Sequence, residues 1–200
     1  LSKDVMKILV LAPQPFYQER GTPIAVDLMV RSLCERGHDV HLLVFHEGRD
    51  VAYPGLTLHR IPAWRMLNGV RPGLSLKKLG CDLLMFFKAI RLVRRHRPDV
   101  IHAVEEAGFM ALVVRKLFGI PYIYDMDSSL PDQIVEKFPW FKPMQWIMRA
   151  LIRPVVYHAL LVAPVCEALA SSIAPCEPAR VVVLRDVSLL EDQRKKNTSA

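Results

Sequence analysis

The sequence has few cysteines and no long uninterrupted apolar segment. No run of 18 or more uncharged apolar residues occurs among the 200 residues, so no membrane-spanning helix is predicted. The four cysteines are far apart and form neither a CxxC pair nor a Cys/His spacing typical of zinc sites, which predicts reduced thiols and no metal site. These absences indicate a cytoplasmic protein.

Several catalytic and cofactor motifs are also missing. The first apolar run is not followed by the GxGxxG fingerprint of dinucleotide-binding folds, and the turn after it holds one glycine, Gly21. There is no nucleophile-elbow, zinc-protease or kinase signature. Hydrolase and kinase activities are therefore not expected.

The composition is that of a globular domain. Hydrophobic residues make up 52% and charged residues 24% of the chain, and the mean hydropathy is +0.19. A chain of this size and content can build one full hydrophobic core. We expect a single domain over residues 1–190, followed at 191–200 by a polar tail or the start of a linker.

Apolar runs of strand length alternate with helical patterns along the chain. This alternation predicts βαβ units and an α/β fold, with a doubly wound, mostly parallel Rossmann-like sheet and helices on both faces. Thr22 and Pro23 are expected to cap the first helix, and prolines between 130 and 158, including Pro154, to divide that segment into short helices or loops. Strands are predicted at 6–12, 38–45, 56–62, 99–104, 121–125, 159–165 and 180–184, and helices at 24–36, 75–97, 107–118 and 167–174.

Positive charge is concentrated in one segment. Residues 60–97 carry ten Lys and Arg against one acid, a balance of +9, whereas the whole chain has a net charge of +7. On the predicted helix at 75–97, four basic residues fall in one stripe, which is either a solvated outer face or a surface for anionic phospholipid. No nucleic-acid-binding module accompanies the charge, so nucleic acid is not an expected partner. The stripe contains Lys77, Lys88, Arg91 and Arg95, and Leu83, Phe86, Phe87 and Ile90 are expected to pack on the sheet.

The turn after the first strand is the first candidate site. Ligands of open parallel sheets bind beyond the carboxyl ends of the strands. Gly21 would let the backbone approach a ligand closely, and the helix that Thr22 opens would favour an anion, with Arg20 as a further phosphate-binding candidate. A structural capping turn would have the same sequence, and that alternative stays open.

Two later strands are also followed by polar side chains. His102 could donate a hydrogen bond to a sugar hydroxyl or phosphate, and Glu105 could accept one or charge the start of the next helix favourably. Asp125 and Asp127 are two residues apart, a spacing suited to a hard cation or to sugar hydroxyls, and Ser128 follows them. Clusters of Asp and Ser also form turns and N-caps, which is the alternative here.

The order of these segments resembles that of a known enzyme family. "KILVLAPQPFYQERGTPIAVDLMVRSLCERGHDVHLLV" is followed by "RPDVIHAVEEAGFMALVVRKLFGIPYIYDMDSSLPDQI" and then by a "VVVL" segment. The G-T-P entry to the first helix and the order of "PDVIHA" and "GIPYIYD" are its more specific parts. Over about residues 5–190 the chain is similar to the N-terminal half of a family 4, GT-B-type retaining glycosyltransferase.

The resemblance implies a function that this chain shares with a second domain. In that family the N-terminal domain mostly binds the acceptor, here a saccharide or lipid-linked molecule, and the C-terminal domain holds a nucleotide sugar, here UDP- or GDP-linked. The Gly21–Thr22 turn would then approach the donor diphosphate from the acceptor side. No tightly bound cofactor is expected. The family's C-terminal Glu-x7-Glu motif is absent from the chain, so we expect these residues alone to transfer no sugar efficiently.

The resemblance also assigns residue roles, with two departures. Family members commonly have a histidine after the fifth strand that reaches the reacting sugar, and Asp127 stands at the corresponding place. The second histidine of the frequent HAH pattern after the fourth strand is Val104. The expected catalytic residues are therefore Asp127 and His102, with Arg20, Gly21, Thr22, Glu105, Asp125 and Ser128 around the acceptor or the donor phosphate.

Two other functions remain open from the sequence. A non-catalytic module of the same fold would complete its cleft with another chain and would expose apolar surface near Trp140, Phe141 and Trp146. A small nucleotide-binding Rossmann enzyme would bind a nucleotide tightly by itself, which the missing glycine fingerprint disfavours. A peripheral position at the inner face of the membrane would follow if the basic stripe binds lipid.

Overall fold

The chain folds around a parallel β-sheet. The computed structural model describes residues 5–16, 21–69, 75–129 and 145–185. In these residues a six-stranded sheet has the order β3-β2-β1-β4-β5-β6, and every neighbouring pair is parallel. The strands are β1 (Lys7–Leu11), β2 (Asp39–Val44), β3 (Leu56–Arg60), β4 (Val100–Val104), β5 (Tyr122–Met126) and β6 (Leu161–Pro164).

Within the described ranges, five α-helices connect or follow these strands. Short 3₁₀ turns at Arg65–Leu67 and Ala174–Cys176 complete the secondary structure of the described residues. The α/β, Rossmann-like fold class predicted from the sequence is therefore confirmed. The helices are α1 (Gly21–Glu35), α2 (Leu76–His96), α3 (Ala107–Phe118), α4 (Gln145–Tyr157) and α5 (Glu167–Ile173).

The sheet buries apolar side chains on both faces. One face packs against α1 through Val26, Val30 and Cys34, while the opposite face packs against α2, α3 and α4. Strands buried on both sides read as continuous apolar runs, which is why β1, β2 and β4 were visible in the sequence. The strand order reverses between β1 and β4, and this reversal opens the crevice where ligands of such sheets bind.

Helix boundaries agree with the sequence in some places and differ in others. α3 ends at Phe118, and Gly119 takes the predicted stop position with φ of +73°. The start of α1 differs, because Gly21 and Thr22 are already helical, so Thr22 is not the N-cap. Pro154 also lies inside α4 instead of ending it.

The predicted last strand is reduced to a single bridge. Val181 pairs with Val162 in parallel orientation, and the Leu184 N–H donates to the carbonyl of Pro164. Pro164 has no N–H to donate in return, so the ladder cannot continue along β6. The predicted tail at 191–200, together with Arg20, Trp140 and Phe141, lies outside the described residues.

The outer face of α2 is the main error in the predicted packing. Leu83 and Phe87 do not pack on the sheet but are 57% and 61% exposed. The buried stripe consists of smaller or flexible side chains, and the helix ends at Arg97 in the left-handed conformation. None of the helices in the described ranges combines the length and apolar content needed to cross a bilayer. The buried stripe of α2 is Cys81, Met85, Ala89, Leu92 and Val93.

Candidate functional site

The turn between β4 and α3 holds a strained residue. Glu105 has φ of +49°, a left-handed conformation that costs a residue with a side chain about 1–2 kcal/mol. Its N–H donates to the carbonyl of Asp125, and its carbonyl accepts from the N–H of Gly108, each over 2.9–3.0 Å. These bonds fix the turn against β5, so the Glu105 carboxylate is aimed by the backbone at the carboxyl end of the sheet.

His102 and Asp125 form a second contact between the same strands. Nε2 of His102 lies 3.0 Å from Oδ2 of Asp125, and the His102 side chain is almost fully buried. His102 is the middle residue of β4, not its last, and pairs in register with Val10. It therefore reaches the crevice edge only through Asp125, whose side chain is more exposed.

The residues after β5 approach the Glu105 turn. Ser128 donates through Oγ to Oε1 of Glu105 at 3.1 Å. Asp127 follows β5 directly and is half-buried, with interactions of its own. The structure thus brings Glu105, Asp125 and Ser128 together, as the ends of adjacent parallel strands require, and places Asp127 beside them in the chain. Their catalytic and binding roles remain predictions.

Gly21 and Thr22 form the start of α1 as the structure describes it. They follow β1, so they lie at the same edge of the sheet as the Glu105 turn, on the other side of the strand-order reversal. The free N–H groups of a helix start carry partial positive charge. An anion at the crevice would meet these groups.

Arg60, which sequence reasoning missed, organises the loops on one side of this edge. It is the last residue of β3, and its guanidinium donates to four backbone carbonyls at 2.6–3.1 Å. Its Nε also pairs with Oδ1 of Asp50 at 2.8 Å. One of these carbonyls belongs to Phe16, in the segment that leads towards α1. In the sequence, the only sign of this role of Arg60 is a lone arginine near the end of a predicted strand. The four acceptors are the carbonyls of Phe16, Phe45, Glu47 and Arg49.

A partly buried ion cluster joins α2 to the start of α3. Lys78 pairs with Glu106, and its Nζ lies 3.6 Å from Oδ2 of Asp82. Burial lowers the pKa of Lys78, while the neighbouring Asp82 charge acts to raise it. Burial likewise raises the pKa of Asp82, opposed by Lys78. This cluster fixes the first turn of α2 against the turn that carries Glu105.

The predicted basic stripe lies apart from these pairs, along α2. Lys77 donates to the carbonyl of Asn68, and Lys88 donates to the carbonyl of Arg60, so both ammonium groups are held by backbone oxygens. Arg91 and Arg95 are exposed. Arg91 and Arg95 therefore lie on the outer surface of the helix layer, whereas the half-buried Lys88 is bonded to the end of β3.

Carboxylates dominate the crevice edge in the described part of the chain. Glu105, Asp125 and Asp127 follow or end two adjacent strands, and the imidazole of His102 lies against Asp125. Such groups accept hydrogen bonds from sugar hydroxyls and stabilise positive charge that develops on a reacting carbon. The helix start at Gly21 is suited to the opposite charge. The arrangement suits a substrate with a hydroxylated part and an anionic part.

Comparison with known proteins identifies the family. Residues 20–185 match the family model described as a glycosyl transferase 4-like domain. The chain therefore belongs to the glycosyl transferase 4-like family. The family predicted from the sequence is confirmed, and the crevice described above lies within the matched residues.

One curated protein and two solved structures are among those similar to the chain. The chain is 29% identical over 157 residues to sulfoquinovosyl transferase SQD2 of Arabidopsis thaliana, covering 76% of this chain and 29% of that protein. Its fold matches sucrose-phosphate synthase from Thermosynechococcus elongatus with a TM-score of 0.70 and 13% identity, over 96% of this chain and 52% of the other. Arabidopsis thaliana UGT89C1, solved with UDP-L-rhamnose, matches with a TM-score of 0.52 and 14% identity, over 92% and 53% of the two chains.

The coverage shows how much of these proteins the chain represents. It spans about half of the two structures and less than a third of the sulfoquinovosyl transferase. The fold is thus the one predicted, one Rossmann-like half of a GT-B architecture.

Proposed function

We propose that this chain is the acceptor-side domain of a glycosyltransferase that moves a hexose from a nucleotide sugar to an acceptor, with retention of anomeric configuration. The observation that carries the proposal is the family match over residues 20–185, which contains the whole carboxylate-lined crevice edge. The relatives named above as a sulfoquinovosyl transferase and a UDP-L-rhamnose complex support a nucleotide-sugar donor.

In this proposal the donor is shared between two domains. A UDP- or GDP-linked sugar is held mainly by a C-terminal domain outside these 200 residues, and the amide groups at Gly21 and Thr22 approach its diphosphate. One glycine is then sufficient, because most nucleotide contacts belong to the other domain. No tightly bound cofactor is required.

The crevice carboxylates would act on the sugar itself. Transfer with an oxocarbenium-like transition state develops positive charge at the sugar ring, which a nearby Asp127 carboxylate stabilises electrostatically. Glu105 and Ser128 orient acceptor hydroxyls, and Asp125 holds the His102 ring. His102 is then either a donor to the reacting sugar or a positioning residue behind Asp125.

The test of this assignment is Asp127→Ala in an active enzyme that contains the chain. We expect a loss of turnover of about 100-fold or more, as for removal of one preorganised electrostatic group, with little change in melting temperature. Asp99→Asn is the matched control, because Asp99 accepts from the Lys7 N–H at the opposite end of the sheet. Unchanged turnover in Asp127→Ala would remove Asp127 from the site.

A further part of the proposal concerns the outer surface of α2. Four large apolar side chains, Leu76, Leu79, Leu83 and Phe87, are 57–89% exposed along the first part of this helix. The helix ends with exposed Arg91, Arg94 and Arg95. An apolar face bordered by cations matches an anionic bilayer surface. We propose that the protein is cytoplasmic and binds peripherally at the inner face of the membrane, which would bring a lipid-linked acceptor within reach.

A further inference from the structure

Three histidines from separate elements meet on the face of the sheet that packs against α2. His41 lies in β2, His59 in β3, and His96 is the last residue of α2. Nδ1 of His41 is 2.9 Å from Nε2 of His59, and one ring nitrogen from each residue lies within 4.8 Å of the others. The residues are 18 and 37 positions apart in sequence, so no short spacing motif indicated the cluster.

The cluster is far from the crevice. His96 follows Lys78 by 18 residues on α2, which corresponds to about 27 Å along a helix. Lys78 contacts the start of α3 beside the crevice edge, so His96 marks the opposite end of the helix. Whatever the cluster binds does not touch the site of sugar transfer.

The ring nitrogens have the separation that a metal ion needs. Zinc binds histidine nitrogen at about 2.0–2.1 Å, so neighbouring ligand nitrogens in a tetrahedral site lie about 3.3 Å apart. The observed separations, from 2.9 Å to at most 4.8 Å, bracket this value. The rings of His41 and His96 are already close, with centroids 4.2 Å apart, and those of His59 and His96 are 5.9 Å apart. Small side-chain rotations would bring all three nitrogens onto one ion.

The surroundings of the cluster also fit metal ligands. Oδ1 of Asp39 lies 3.7 Å from Nε2 of His41. This carboxylate therefore faces the ring nitrogen opposite to the one that approaches His59, as the partners of metal-bound histidines do. His41 is buried and His59 is partly buried, and burial disfavours the charged form of an imidazole ring. Neutral imidazole is the form that binds metals.

Nearby basic side chains oppose the binding of a cation. Lys7, Lys88 and Arg95 are close enough to disfavour positive charge on these rings, and a cation bound there would experience the same repulsion. We therefore expect weaker binding than at thiolate-rich structural zinc sites.

We propose that His41, His59 and His96 form a site for a divalent transition-metal ion, with Zn²⁺ as the ion that fits three imidazole ligands. Bound there, the ion joins the C-terminus of α2 to β2 and β3. Its effect is on the stability of the helix layer, independent of sugar transfer.

The test is calorimetric titration of the chelator-treated, tag-free chain with ZnCl₂. We expect one equivalent to bind and to raise the melting temperature, because an ion that binds only the folded state stabilises it. His59→Ala and His96→Gln should each weaken binding at least about tenfold, since even loss of an outer partner of a metal ligand costs about 10–100-fold. His158→Ala, a histidine outside the cluster, should bind as the wild type does.

The outcomes separate a metal site from ordinary packing of neutral histidines. Absence of saturable Zn²⁺ binding by the wild-type chain, or equal binding by wild type and His96→Gln, would overturn the proposal. If His59→Ala loses its folded circular dichroism spectrum, His96→Gln carries the test, because His96 is only partly buried at a helix end. Co²⁺ titration of the wild type, followed by its visible absorption, gives an independent readout of tetrahedral binding through the three imidazole nitrogens.

Discussion

Ser128 donates a hydrogen bond to Glu105 and so joins the turn after β4 to the segment after β5. Glu105 follows β4, which borders the point where the strand order reverses, and adopts its left-handed conformation there. Strained backbone in a non-glycine residue tends to be kept where a side chain must point in a required direction. Under the proposed function, Glu105 is kept for its carboxylate more than for the stability of its turn.

Glu105→Asn tests this interpretation. Asparagine tolerates left-handed φ, so relief of strain should offset loss of the Ser128 bond and leave the free energy of unfolding within about 1 kcal/mol of wild type. Turnover of an active enzyme containing the chain should fall at least about tenfold. Arg97→Asn is the matched control, because Arg97 also has positive φ, of 47°, but lies at the end of α2. Equal turnover in both variants would contradict the role given to Glu105.

Arg60→Ala should destabilise the crevice loops. It leaves the carbonyls of Phe16, Phe45, Glu47 and Arg49 without their common donor, and even partial loss costs about 1–3 kcal/mol per buried group. We expect urea unfolding to report a loss of at least about 2 kcal/mol. Arg60→Lys should recover only part of it, because an ammonium lacks the planar fork of donors. The exposed Arg49→Ala serves as control, and equal stability of the Arg60 and Arg49 variants would refute this function of Arg60.

Gly108→Ala tests the close packing of α3. A Cβ at Gly108 would meet side-chain atoms of Tyr124 and Val155 at 2.8 Å. Overpacking of this kind costs about 1–3 kcal/mol and should exceed the gain in helix propensity, which is about 1 kcal/mol. Gly80→Ala is the control, because its nearest neighbour is the flexible end of Leu67 at 3.1 Å. Thermal unfolding should show a lower melting temperature for the first variant and an equal or higher one for the second.

Vesicle sedimentation tests the membrane surface on α2. Binding to phosphatidylglycerol-containing vesicles should exceed binding to pure phosphatidylcholine and should weaken with salt, because attraction to anionic lipid is screened. Combined Leu83→Ser and Phe87→Ser should reduce binding to these vesicles at both low and high salt. Arg91→Glu with Arg95→Glu should reduce it mainly at low salt, and Arg49→Glu should have little effect. Binding insensitive to lipid charge and to salt would exclude the electrostatic part of the proposal.

The sequence predicted element types well where periodicity was strong. α3 and its glycine stop were placed correctly because apolar spacing and Gly119 agree. The buried face of α2 was wrong because this helix is apolar on two sides, with Met85 on one and Phe87 on the other, and only the neighbouring sheet decides which side is covered. Contacts of high sequence separation, such as those of Arg60 and the three histidines, leave no local pattern and required the fold.

Under the proposed function, the nucleotide-sugar donor is held mostly outside these 200 residues. This arrangement is tested most directly by calorimetric titration of this chain, and of a longer chain that continues past residue 200, with a panel of UDP- and GDP-sugars. We expect saturable donor binding by the longer chain and little or none by the short one. Tight binding by the short chain would show that its own turn at Gly21 holds the nucleotide, and would contradict its assignment as the acceptor-side domain.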